Sequence, residues 1–146
     1  MAQPALSLRA RALRSLARRE HTRSELRRKL APHEETEGQL DALQAQGFLS
    51  DERAAASLVH RRAARLGTQR LRQELQAKGL DASTVDAALE GLGGTELERA
   101  RALWEHKFGA PAPDAAGRAR QMRFLLARGF SADTVRRVVR GVEDDF

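Results

Sequence analysis

Histidines, carboxylates and arginines are the side chains here that could do chemistry, and cysteine is missing from all 146 residues. Its absence excludes a thiol nucleophile, a disulfide framework, an iron–sulfur cluster and a Cys-containing zinc knuckle, in keeping with a reducing cytoplasm. His21, His33, His60 and His106 are scattered without short coordinating spacing, so they read as packing residues rather than ligands or catalysts. Asp51 with Glu52, and Asp144 with Asp145, are pairs by composition alone, because adjacent helical residues point in different directions. Capping, solubility and tail electrostatics account for them. No glycine-rich phosphate loop, His-Glu-x-x-His sequence or nucleophile elbow occurs. The expectation is a protein without catalytic residues, metal or cofactor.

Arginine is the informative type. Lys and Arg number 26 against 20 Asp and Glu, a formal charge of +6, and the isoelectric point lies near 11.0. Arg9, Arg11, Arg14, Arg18, Arg19, Arg23, Arg27 and Arg28 crowd the first two helical segments. Later arginines, among them Arg72, Arg123 and Arg128, extend the basic pattern along the chain. Guanidinium groups pair with phosphate or carboxylate oxygens in a fixed fork, which suits an ordered anionic surface without saying which. A solvated basic face is the plainer alternative. The chain has no tyrosine and few aromatics, which argues against a stacking platform for unpaired bases. Phe48, Trp104, Phe108, Phe124 and Phe130 fall at helix ends and on apolar stripes, where core packing explains them. Trp104 is the strongest interface candidate of the five.

Apolar residues recur at three- and four-residue spacing almost throughout, without sustained alternating β-branched runs, so the elements that carry these side chains are helices. Helix one spans about Leu8 to Glu20. Capping boxes are expected at Thr22 with Glu25, Thr36 with Gln39, and Thr95 with Glu98, and Ser50 is expected to cap a fourth helix. Pro32, Gly47, Gly67, Gly79 and Gly129 punctuate the pattern. Helix eight places Met122, Leu125 and Leu126 on its apolar side, and helix nine Val135, Val138, Val139 and Val142. No apolar run is long enough for a membrane span or a secretion signal, so a cytoplasmic protein is expected.

Lys78-Gly79-Leu80-Asp81-Ala82-Ser83-Thr84-Val85 aligns with Arg128-Gly129-Phe130-Ser131-Ala132-Asp133-Thr134-Val135, and Ser24 to Leu30 aligns more weakly with Gln69 to Leu75. The recurrence implies three degenerate three-helix units over 8–47, 50–92 and 95–142 that share a core. An all-α, elongated array of tandem three-helix repeats is the fold expected, with a compact helical bundle as the alternative.

The chain resembles the bacterial RecX family, regulators of the RecA recombinase, over essentially its whole length. The resemblance rests on Leu16-Ala17-Arg18-Arg19-Glu20-His21-Thr22-Arg23-Ser24-Glu25-Leu26, Gly47-Phe48-Leu49-Ser50-Asp51-Glu52-Arg53, Arg72-Gln73-Glu74-Leu75-Gln76-Ala77-Lys78-Gly79 and Arg123-Phe124-Leu125-Leu126-Ala127-Arg128-Gly129-Phe130. Arg53-Ala54-Ala55 stands where the family commonly has Arg-Phe-Ala, and Gly67-Thr68 where it commonly has Gly-Pro. The resemblance implies a curved basic protein that binds RecA and the groove of its DNA filament and inhibits recombinase and coprotease activities. On that reading Arg18, Arg19, Arg23, Arg27, Arg72, Arg123 and Arg128 form a distributed partner surface, while Leu71, Leu75, Leu125 and Val135 pack. A monomer with no membrane contact is expected. The runner-up function is a direct nucleic-acid-binding module that holds single- or double-stranded DNA through its phosphates.

Overall fold

Side-chain oxygens open most of the helices, as the capping signals require. A computed structural model describes residues 6–30 and 32–140, among which lie α1 (Leu8–Arg18), α2 (Arg23–Leu30), α3 (Thr36–Ala45), α4 (Asp51–Arg62), α5 (Thr68–Ala77), α6 (Ala82–Glu90), α7 (Glu96–Lys107), α8 (Ala115–Ala127) and α9 (Ala132–Arg140). No strand occurs among the described residues, and no helix there is long and apolar enough to cross a membrane. The helices form tandem three-helix repeats. Val142, Asp144 and Asp145 lie outside the described residues.

Thr22 and Glu25 form the expected box: the Glu25 amide donates to Thr22 Oγ1 at 3.1 Å and the Thr22 amide to Glu25 Oε1 at 3.0 Å. Thr95 and Glu98 form another. Ser50 Oγ accepts the Arg53 amide, and Asp81 Oδ1 the Thr84 amide. The Thr36 and Gln39 box does not form. Glu35 takes the N-cap position of α3 in helical geometry without a side-chain cap, which makes Thr36 the first helical residue and buries its hydroxyl instead. Helix one stops at Arg18 because Arg19 is extended.

Packing divides the described chain into two units. The first holds the chain up to Leu58 together with Leu75–Ala88, and the second Val59–Glu74 together with the chain from Leu89. In the first unit Ala12, Leu26, Leu30, Leu40, Leu43 and Leu49 form a buried cluster. In the second, Ala100, Trp104, Leu125, Phe130, Val135, Val138 and Val139 form another. Each fully buried leucine contributes roughly 2 kcal/mol relative to exposure. Leu71, Leu75, Leu125 and Val135 are wholly buried. Trp104 belongs to the core, its Nε1 donating to Gln121 Oε1 at 3.0 Å while Gln121 Nε2 donates to the Ala110 carbonyl at 3.1 Å. Two expected core residues are out in water: Phe48 is 48% exposed and Leu126 44%.

One joint recurs, once inside each unit. In the first, the C-terminal turn of α5 meets the start of α2. Thr22 Oγ1 donates to the Lys78 carbonyl at 2.7 Å, Lys78 Nζ reaches Glu25 Oε2 at 3.0 Å, and Gly79, at φ 79°, lies against Ser24. In the second, the C-terminal turn of α8 meets the start of α5. The Gly67 amide donates to the Arg128 carbonyl at 2.8 Å, and Gly129, at φ 89°, lies against Arg70. Each joint also borrows an acid from the first residue of a neighbouring helix. Asp51 Oδ1 accepts the Arg23 amide at 2.7 Å, and Glu96 Oε1 accepts the Thr68 amide at 3.1 Å. These carboxylates satisfy first-turn amides that have no partner within their own helix.

Candidate partner-binding surface

Arg11, Arg14 and Arg18 are spaced by three and four residues, so α1 presents them on one face. With Leu6 and Ser15 they line a groove of about 420 Å³. All three are exposed, and none has an acidic partner among the described residues. Arg9, on another side of α1, donates from Nη2 to Gln46 Oε1 at 2.6 Å and lies over the exposed Phe48 ring at 5.9 Å.

Arg19, Arg23 and Arg27, further along the first unit, are paired within the fold. Arg19 Nη2 pairs with Glu25 Oε2 at 3.1 Å. Burial would raise the Glu25 pKa, but the Thr22 amide, Lys78 and Arg19 outweigh it and hold the carboxyl at about 2. Arg23 pairs with Glu37 and Asp41, each at 2.7 Å, and donates to Gln44, clamping α2 on α3. Arg27 binds Glu37 too. Hydrogen bonds from Arg27 and Arg23 depress the Glu37 pKa to about 2.

In the second unit Arg72 is half-buried on α5, Arg123 is exposed on α8, and Arg128 follows at its end. The Arg128 guanidinium lies 4.9 Å from the Phe124 ring centroid, and Lys107 Nζ approaches the same ring at 5.5 Å. Phe108 meets Phe124 edge-on at 5.4 Å. Arg128 thus has a double role, since its carbonyl closes the joint at Gly67. The structure brings Arg23 and Arg27 together on Glu37, seats Arg18 beside Arg11 and Arg14, and sets Arg128 against Phe124. Arg11 and Arg14 were named in the basic cluster but not among the partner-surface residues, although their three- and four-residue spacing with Arg18 carried the signal, and Lys107 was not singled out by sequence. Arg99 is an internal clamp that local sequence does not reveal: burial lowers its pKa against the raising effect of Glu96, and it donates to the Ala63 carbonyl and Thr68 Oγ1, both at 3.2 Å. No cluster of His, Cys, Asp and Glu that could hold a metal ion occurs among the described residues.

The chain is similar to known proteins along nearly its whole length. Residues 9–43, 50–89 and 95–139 match the family models described as the first, second and third three-helix domains of RecX, in that order. It is 58% identical over 142 residues to the regulatory protein RecX of Leptothrix cholodnii, covering 94% of this chain and 90% of that one. It is 50% identical over 143 residues to the regulatory protein RecX of Ralstonia pickettii, covering 95% and 90%. The crystal structure of RecX from Lactobacillus salivarius superposes with a TM-score of 0.73 over 91% of this chain and 92% of that one, at 22% identity. That last likeness is one of fold.

Proposed function

The chain belongs to the RecX family of regulatory proteins, and from that membership we propose that it binds the RecA recombinase and its DNA filament and inhibits recombinase and coprotease activity. It is a regulator rather than an enzyme, works as a cytoplasmic monomer without cofactor or membrane contact, and is organised as repeats over 8–47, 50–92 and 95–142. The observation that carries this reading is the Arg11, Arg14 and Arg18 face, three exposed guanidiniums with no acidic partner among the described residues. An arginine face of that kind favours a partner bearing carboxylates or phosphates. A RecA–DNA filament offers both.

Direct contact with single- or double-stranded DNA through phosphates is the second reading, and the same unpaired face favours it. Titrating the protein into RecA strand exchange, while counting filament-bound copies at several salt concentrations, separates the two. Binding to preformed filament with inhibition of exchange is expected. Failure to bind and to inhibit overturns the proposal, and tight binding to a fluorescent single strand without RecA selects the direct reading. Charge reversal at Arg18 and Arg19 together is expected to weaken filament binding with helicity retained.

A further inference from the structure

A cleft of about 850 Å³ opens in the first unit between α2 and the start of α3, walled by Arg27, Arg28, Pro32, His33, Thr36 and Glu37. We propose that it binds a single carboxylate carried by an apolar segment of a partner protein, held by the start of α3, Thr36 and Arg28.

The start of α3 is left open. Glu35 provides no side-chain cap, and the Glu37 and Gly38 amides have no acceptor among the described residues. Open space surrounds the position where a Cβ would stand at Gly38, so an incoming oxygen can reach the amides of this first turn. Thr36 supplies an independent sign of a missing partner: it is 4% exposed, lines the cleft, and its Oγ1 has no hydrogen-bond partner. A buried hydroxyl without a partner costs free energy that a bound acceptor would recover. Arg28 is exposed on the same wall and has no acidic partner among the described residues. His33 Nδ1 accepts the Glu35 amide at 3.0 Å, which leaves Nε2–H as the donor of the ring.

The charges select the ligand. Glu37 is already paired with Arg23 and Arg27, so its charge is spent within the fold. Glu34, which lines the cleft, and its neighbour Glu35 are both exposed, and they repel a polyanion such as a phosphodiester strand while tolerating one carboxylate between apolar neighbours. A helix start favours one such negative group. Pro32 and the stems of Arg27 and Arg28 give its apolar neighbours a surface.

The full chain, labelled with ¹⁵N, is titrated with a blocked tetrapeptide of sequence Ala-Leu-Asp-Ala, with its Asn counterpart, and with inorganic phosphate. Saturable shifts of the Glu37 and Gly38 amides by the Asp peptide alone are expected. Thr36→Val keeps the side-chain shape and removes the hydroxyl, and Arg28→Gln removes the charge. Each is expected to weaken the Asp peptide about tenfold while the melting temperature holds or rises, in line with the loss of one charged hydrogen bond. Equal shifts with the Asn peptide, unaltered affinity in both variants, or tighter binding of phosphate at those amides overturns the proposal. The titration contains no recombinase, so its outcome is independent of the filament experiment.

Discussion

The Gly67 amide donates to the Arg128 carbonyl at 2.8 Å, and a Cβ on Gly67 would fall on the backbone of Gly129. Two main chains approach there with no room for a side chain, and the joint between α5 and the end of α8 depends on that approach. Gly67→Ala must push the backbones apart and lose the hydrogen bond, costing at least about 2 kcal/mol. Gly38→Ala is the control: its Cβ meets nothing within 4 Å in a helix, and it is expected to stabilise by about 0.5–1 kcal/mol. Urea midpoints of the two variants check both signs.

Glu25 makes the first joint acid-sensitive. Its carboxyl, at about 2 instead of the ordinary 4.5, is held as the anion by the Thr22 amide, Lys78 and Arg19 against the cost of burial. Because its folded pKa is depressed, the stabilisation is complete above 4.5 and is lost as pH falls toward 2, roughly 3 kcal/mol in all. Glu25→Gln should lose most of that amount at pH 7 and flatten the decline between pH 4.5 and 2. Chemical denaturation at stepped pH measures it. Salt should matter little at Glu25, whose side chain is 14% exposed, and more at the exposed Arg27–Glu37 pair.

His21 also loses stability as pH falls, but because the fold favours its neutral form. The ring is fully buried, its Nδ1 donates to the Arg19 carbonyl at 3.0 Å, and Lys29 Nζ faces Nε2 at 3.2 Å. The Nε2 lone pair then accepts from Lys29, and a proton there would set two cations face to face. Burial lowers the pKa below 6.5; the charges of Arg19 and Lys29 act the same way, while the Arg19 carbonyl and Glu25 oppose them. The neutral ring gives full stability above pH 6.5, and stability falls as pH drops from 6.5 through the folded-state value. The His21 ring resonance followed by NMR should titrate below 6.5, and His21→Gln should remove that slope from the stability curve. A midpoint at or above 6.5 contradicts the assignment.

Helix number, order and most starts were legible in the sequence because local oxygens set them: Thr22, Ser50, Asp81 and Thr95 each accept the amide three residues on. The pattern mistook Thr36 for a cap because Glu35 continues in helical geometry one residue earlier, a choice that no local side chain dictates. The joints were half legible. The Lys78-Gly79 and Arg128-Gly129 recurrence marked the two turns, but the groups that meet them, Thr22 and Ser24 at one and Gly67 and Arg70 at the other, come from distant sequence. Thr68, where the family commonly has proline, keeps an amide hydrogen for Glu96, a pairing 28 residues away. The arginines were the least legible. Whether Arg23 faces solvent or Glu37 is decided 14 residues downstream.

That distinction yields the last prediction, because it sorts the arginines of the first unit by what they touch. Arg23 is clamped between Glu37 and Asp41 with its side chain 20% exposed, so Arg23→Ala leaves two carboxylates short of a partner and loses packing between α2 and α3. A loss of about 1–2 kcal/mol is expected, with filament binding unchanged once the protein is folded. Arg11, Arg14 and Arg18 are exposed and have no acidic partner among the described residues, so reversing all three to glutamate should leave the melting temperature within a few degrees. Filament binding should fall by about tenfold or more, with a shallower salt dependence than the parent, because each engaged cation contributes to that slope. Circular dichroism melts alongside filament co-sedimentation at two salt concentrations read both effects. If Arg23→Ala weakens binding as much as the triple reversal while remaining folded, the partner contacts the α2–α3 clamp instead of the α1 face.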